Sequence, residues 1–334
     1  MDEDKLILVT GANGFIGSHV LQRLSASPGL KARGMVRPTS SLWRLENFEP
    51  ELIRASLPGN LPPLDGVHTV IHTAGLSSDW GSREEFTRAN REGTACLLEA
   101  AIKAGVKRFI HFSSVVVYGF TGGREQTEDA PLQPFPHPYC LSKAEAEKEV
   151  LARRERIETV IIRPANVYGP GDLTTTFPLL QALEKGLPFF PAGGRSLTSP
   201  CYVGNLVEAT IATLNSEGAP GETFNVTDGR DMPWRDFLSL AASALDARSP
   251  RFPLPARPLY LAAGVLEALY KAIKSSKPPL ITPYRIAQVT HDYGFSIDRA
   301  RRILGYQPAF SPEEGLRKSV RWYRKMKQQP PEGG

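Results

Sequence analysis

Three glycines, Gly11, Gly14 and Gly17, stand in the run TGANGFIG at positions 10–17. They follow the apolar, β-rich run KLILVT and head a helically spaced segment from Phe15 to Ser25. No other feature constrains the fold as tightly. A strand that turns through G-x-x-G-x-x-G into a helix needs glycine for three reasons: the turn is tight, the backbone approaches a pyrophosphate closely, and the helix packs near the strand. The helix then offers free N–H groups and the positive end of its dipole to phosphates. Gly11, Asn13, Gly14, Phe15, Ile16 and Gly17 are the predicted dinucleotide cradle.

The rest of the first half continues that pattern. Residues 31–36, 51–54, 69–72, 108–112 and 159–163 read as strands, and residues 83–104, closed by Gly105, and 139–156 as helices. Residues 55–66 hold three prolines, and no helix is expected there. Alternating strands and helices, joined by right-handed crossovers, predict an α/β fold with a Rossmann-type, doubly wound parallel sheet. Beyond Arg163 the chain is rich in turns and proline, with a helix at 204–216, a strand at 224–226 and mostly helix from Pro233 onward. The expected division is a dinucleotide-binding domain at 1–165 and 202–228, and a smaller, mainly helical C-terminal substrate domain at 166–201 and 229–327. A disordered tail is expected at 328–334.

Composition narrows the function classes. With 334 residues, 41% apolar and 22% charged, the chain is expected to fold around a sizeable core. A formal charge of +5, without an aromatic-interleaved basic stripe, is compatible with an anionic cofactor or an acidic membrane surface and is too small to argue for nucleic acid, so no nucleic-acid partner is expected. Cys96, Cys140 and Cys201 lie far apart, form no C-x-x-C pair and join no histidine at metal-ligand spacing, so no metal is expected and a reduced, cytoplasmic setting is the simplest reading. The acidic start MDEDK enters a strand at once and does not read as a signal peptide. No run of about 18 apolar residues predicts a membrane span.

An NAD site places an acidic residue roughly 20 residues beyond the glycines, to hold the ribose 2′-hydroxyl. Here the second strand ends in GMVRPTSS, with Arg37 at its tip and no carboxylate. A guanidinium there is suited to a 2′-phosphate, helped by Thr39, Ser40 or Ser41, so NADP(H) is expected over NAD(H). Proton handling points to three further residues. Tyr139 and Lys143 are four apart on one helix face, where an ammonium favours the phenolate. Ser114 lies just beyond the strand at 108–112, at the sheet edge where such folds bind ligands. His19, His72, His111, His137 and Cys140 take structural readings.

On these residues the chain resembles the extended short-chain dehydrogenase/reductase superfamily, which includes the NAD-dependent epimerases and dehydratases. TGANGFIG is similar to its cofactor motif, SSVVVYG with YCLSK to its Ser–Tyr–Lys site, and NREGT at 90–94 and RPANVYGPGD at 163–172 to two further signatures. The resemblance implies catalytic roles for Ser114, Tyr139 and Lys143. It also implies cofactor contacts at Ala74, Asn90, Pro164 and Val167, and a homodimer built on the helices at 83–104 and 139–156. Nucleotide-sugar enzymes of the group often carry an Arg-Asp pair that grips a diphosphate. Here Thr198 and Ser199 occupy that place, and the stretch looks more like the 3β-hydroxysteroid dehydrogenase-like subgroup. The implied substrate is a lipophilic secondary alcohol or ketone; the alternative is a nucleotide sugar. Ser77, Trp80, Asn166 and Tyr202 are the expected substrate contacts, with Phe120, Phe177 and Phe189 as further candidate walls. Residues 259–270 (LYLAAGVLEALY), followed by Lys271, Lys274 and Lys277, are expected to pack on their own domain, because Glu267 interrupts the apolar face. The alternative is a helix or lid touching lipid.

Overall fold

A computed structural model describes residues 5–46, 48–187 and 189–329. Seven strands form one parallel sheet: β1 (Lys5–Thr10), β2 (Leu30–Val36), β3 (Glu51–Arg54), β4 (Val67–His72), β5 (Arg108–Phe112), β6 (Glu158–Pro164) and β7 (Thr223–Val226). Their spatial order is β7-β6-β5-β4-β1-β2-β3. The chain winds outward from β1 to β3, then returns to β4 on the other side of β1. The crevice at the carboxyl ends of β1 and β4 is therefore the topological switch point, where such sheets bind ligands.

Helices cover both faces. They are α1 (Phe15–Ser25), α2 (Arg83–Phe86), α3 (Gly93–Lys103), α4 (Pro138–Leu151), α5 (Thr176–Glu184), α6 (Val203–Asn215), α7 (Trp234–Ala244), α8 (Ala256–Ala272), α9 (Pro283–Thr290), α10 (Asp298–Leu304) and α11 (Pro312–Gln328). Strand alternation assigns β1 to two cores. Ile7 and Val9 join Val20, Leu21 and Leu24 of α1, whereas Leu8 faces Leu97, Leu98 and Ala101 of α3. Each such aliphatic contributes about 1.5–3 kcal/mol on burial. Beyond β6, Asn166–Tyr168 pairs with Pro200–Tyr202 outside the main sheet, and α5, α7 and α11 pack around Leu180, Phe237, Leu316 and Tyr323.

Four expectations change in the structure. The helix expected at 83–104 is interrupted by a π-helical stretch, Thr87–Glu92, between α2 and α3. Periodicity near 3.6 cannot register one wide turn, and such turns often occur at functional sites. The helix expected to reach residue 156 stops at Leu151, since the chain must reverse before entering β6 at Glu158. The third change concerns α8, whose sole buried residue is Ala263. Its inner side faces α9, with Tyr260 hydrogen-bonded to Thr290. Glu267 lies on that inner side, close enough to His137 to act on its charge, and so does not interrupt the outer apolar face. Of the tail expected at 328–334, Gln328 belongs to α11, and 330–334 lie outside the described residues.

Candidate active site

The phosphate end is built by β1 running into α1. Gly11 has φ +66°, and a Cβ there would sit 2.8 Å from the Ala74 Cα. A Cβ on Gly17 would lie 2.2 Å from the Gly11 carbonyl oxygen and 2.7 Å from Thr73 Oγ1. Gly14 is the N-cap of α1 and supplies no side-chain cap, which leaves the first-turn N–H groups directed at the crevice. A polar chain fixes the adjoining ends of β1 and β4: His72 Nδ1 meets Thr10 Oγ1 at 2.8 Å, and its Nε2 meets Thr94 Oγ1 at 2.9 Å. Burial drives the His72 pKa down to about 3, so the ring is neutral in this role. Arg44, absent from the sequence reading, donates to the Asn13 and Gly171 carbonyls and closes the loop from above. Arg37 is exposed at the end of β2, and Arg54 of β3 reaches the same tip by donating to the Pro38 carbonyl at 2.7 Å.

The proton-handling residues meet at the carboxyl ends of β4 and β5. His137 caps α4 by accepting the Tyr139 N–H, and Pro138 occupies the first helical position, so α4 begins with Tyr139 in its first turn. The Tyr139 hydroxyl faces the Ser77 and Ser114 hydroxyls. Burial pushes its pKa above the ordinary value, while the two serines pull the other way. Lys143, one turn on, is buried and donates to the Phe112 carbonyl at the end of β5. Burial lowers its pKa to about 8, opposed by the charge of Glu147 one further turn along. Glu147 in turn holds Arg163 of β6 in a buried two-pronged pair, at 2.7 and 2.9 Å. The depression of the tyrosine expected from Lys143 is not seen: burial dominates, and in this state Tyr139 is a protonated phenol.

A cavity of about 860 Å³ opens over these groups. Phe15, Ile16, Ser77, Asn90, Ser114, Tyr139, Lys143, Pro164, Asn166 and Val167 all line it, so the structure brings most of the predicted site residues together. Asn90, carried by the π-helical stretch, spans Leu76 and Ser142: it accepts the Leu76 N–H at 2.7 Å and donates to Ser142 Oγ at 2.9 Å. Asn166 is engaged by Thr198 at 2.6 Å and by Gln288 at 3.0 Å. Trp80 and Tyr202 stand outside the lining. The Trp80 indole donates to the Ser275 carbonyl, and Tyr202 packs on Tyr168 and Phe310. Phe120, Phe177 and Phe189 are likewise absent from it. Of the wall expected at Leu76–Trp80, Leu76, Ser77, Ser78 and Asp79 line the cavity; sequence reasoning missed Trp234, Leu280, Arg285 and Gln288, which come from a loop and from α7 and α9 and carry no local motif. Asp79 and Arg285 form an ion pair across the cavity rim.

The family model for the NAD dependent epimerase/dehydratase family matches residues 7–227, the sheet with its glycine loop and the Ser–Tyr–Lys cluster. The chain belongs to that family. It is 34% identical over 268 residues to a UDP-glucose 4-epimerase of Vibrio cholerae, covering 75% of this chain and 79% of the relative. It is 27% identical over 336 residues to the sterol-4-alpha-carboxylate 3-dehydrogenase (decarboxylating) of Mus musculus, covering 97% and 92% respectively. Among solved structures, the UDP-glucuronic acid 4-epimerase from Bacillus cereus in complex with NAD superimposes with a TM-score of 0.77 at 22% identity, covering 96% of this chain and 99% of that one. This family member is an NAD-dependent enzyme of the extended short-chain dehydrogenase/reductase type, with 3β-hydroxysteroid dehydrogenase-like relatives as its sequence suggested. Its residues fit a dinucleotide on their own geometry: a cradle that any Cβ would fill, an uncapped helix start, and a lysine and tyrosine at the far end of the same crevice.

Proposed function

We propose that the chain is an NADP(H)-linked oxidoreductase that interconverts a secondary alcohol and a ketone on a lipophilic substrate. One observation carries this reading. The cavity that holds Ser114 and Tyr139 presents Thr198, already bonded to Asn166, where a nucleotide-sugar enzyme would present a diphosphate-gripping arginine. Its rim arginine, Arg285, is committed to Asp79. The remaining walls include Phe15, Val116, Leu179, Leu180, Phe237 and Leu280, which suit an apolar ligand. Residues 1–165 and 202–228 would hold the nucleotide and 166–201 with 229–327 the substrate, in a cytoplasmic homodimer paired through α3 and α4. The preference for NADP(H) rests on the Arg37 and Arg54 guanidiniums at the tip of β2, which lacks a carboxylate.

When bound, the nicotinamide supplies or accepts the hydride. The protein's part is proton transfer and orientation. Ser114 Oγ and the Tyr139 hydroxyl converge on one substrate oxygen. In the reductive direction Tyr139 gives its proton to the carbonyl oxygen as that oxygen gains charge, and the Lys143 ammonium stabilises the phenolate left behind. Ser77 and Asn90 fix the loop on the opposite wall. The test is nicotinamide absorbance with NADPH and NADH against ketosteroids, aliphatic ketones and nucleotide-activated keto sugars. Turnover of a lipophilic ketone, lost by about 10²–10⁴ in Tyr139→Phe, is the expected result. The likeness to the Vibrio cholerae UDP-glucose 4-epimerase favours a second reading, a nucleotide-sugar epimerase or dehydratase that retains its dinucleotide. That reading would prevail if no ketone were turned over and the purified protein carried tightly bound dinucleotide.

A further inference from the structure

Helix α8 presents an apolar row to solvent. Leu261, Val265, Leu269 and Ile273 recur every four residues and are 73%, 62%, 55% and 72% exposed. Four such positions form one continuous stripe along the outer side of the helix. Leu280, in the loop that follows α8, is 86% exposed and at the same time lines the active-site cavity. Scattered exposed leucines need no explanation, but a contiguous row beside a cavity mouth does.

The charges around the row are of one sign. Arg251, Arg257, Lys271, Lys274 and Lys277 are exposed on the same stretch, and the stretch's one carboxylate, Glu267, is turned inward and paired with Lys271. Such a surface complements an anionic one. Two copies of it facing each other across a two-fold axis would bring like charges together, which disfavours a second copy of this chain as the occupant. Among the described residues no helix is long and apolar enough to cross a membrane, so the contact is one of lying on a surface.

We infer that the outer face of α8, with Leu280, docks on an anionic lipid bilayer, the apolar row entering the headgroup–acyl boundary and the lysines meeting lipid phosphates. Docking in this orientation brings the cavity mouth at Leu280 to the membrane surface, a direct route for a lipophilic substrate. The route rests on the function proposed above; the docking does not, and its test contains no substrate.

The full chain is co-sedimented with vesicles of phosphatidylcholine alone, or of phosphatidylcholine mixed with phosphatidylglycerol, at low and high salt. The protein is expected to pellet with the anionic vesicles at low salt and to be released at high salt. Val265→Asp/Leu269→Asp should weaken binding at least about tenfold, by taking charge into the boundary. Replacing Lys274 and Lys277 with Gln should weaken it about fivefold per lysine. These side chains are exposed, so circular dichroism and thermal melting should match the wild type. Background pelleting of the wild type with anionic vesicles, or unchanged pelleting of the aspartate variant, overturns the inference. So does light scattering in which the aspartate variant turns a dimer into a monomer without changing vesicle binding, since the face would then belong to a second copy.

Discussion

Replacing Glu147 with Gln tests how the active site keeps a buried lysine charged. Lys143 is held near pKa 8 by two opposing effects, burial and the Glu147 carboxylate one turn away. Side chains one turn apart are separated by roughly 6 Å. At an effective dielectric of about 20, unit charges at that distance interact by about 3 kcal/mol, or about two pKa units. Glu147→Gln removes that support and leaves the Arg163 charge in place, so Lys143 should lose its proton at about pH 6. The assay is the pH dependence of kcat/KM for ketone reduction, in which Tyr139 stays protonated and the alkaline limb reports Lys143. With the limb at about 6, activity at pH 7.5 falls about 25-fold relative to the wild type, while activity near pH 5 is nearly unchanged. Breaking a buried pair costs stability, about 3–5 kcal/mol, so Glu147→Gln/Arg163→Met serves as a companion. With both charges gone, its limb should fall between those of the wild type and the single variant. A folded single variant whose limb stays near 8 would refute the claim that Glu147 sustains the ammonium.

Three further outcomes follow from the same geometry. Gly17→Ala must displace the Gly11 carbonyl, 2.2 Å from the added Cβ, and should lower stability by about 1–3 kcal/mol while abolishing dinucleotide binding in a fluorescence titration. Arg37→Ala should raise the Kd for NADPH at least about tenfold and leave NADH unchanged; equal effects on both would remove the 2′-phosphate assignment. Lys143 is the cation whose folded pKa falls from 10.5 to about 8, so the unfolded chain holds the extra proton between those values and the lysine's burden on stability is relieved as pH rises through them. Lys143→Met should therefore show its largest gain in Tm over the wild type below pH 8, with the gain shrinking toward pH 10.5, measured by calorimetry.

The sheet and the Ser–Tyr–Lys cluster were legible because each is written locally. A β-rich run ending in glycine fixes β1 and the start of α1, and His-Pro-Tyr fixes where α4 begins and hence where Tyr139 points. What was not legible depends on contacts between distant segments. The π-helical turn that delivers Asn90 to Leu76 breaks the period by one residue, which no amphipathic pattern displays. The Asp79–Arg285 pair joins residues 206 apart in sequence, and neither sits in a motif. Glu267 was misread for a related reason. In sequence it interrupts an apolar run, but the helix turns it toward α9 and His137, and the face it was thought to break stays unbroken.

The polar groups around the cavity bear on the substrate in the same way. Asp172 accepts five hydrogen bonds from Thr174, Thr175 and Thr176, which anchor the start of α5 and leave it little capacity for a ligand. Asn166 is occupied by Thr198 and Gln288, and Arg285 by Asp79. A sugar entering this half of the cavity must either break those bonds or bury hydroxyls without partners, at about 1–3 kcal/mol for each group left unpaired. A lipophilic ketone asks for donors at one oxygen only, the part that the proposed function gives to Ser114 and Tyr139. Ser113 and Trp234 also line the cavity, but Ser113 Oγ and the Trp234 indole nitrogen are themselves buried without a hydrogen-bond partner and add no accessible polar group for a sugar.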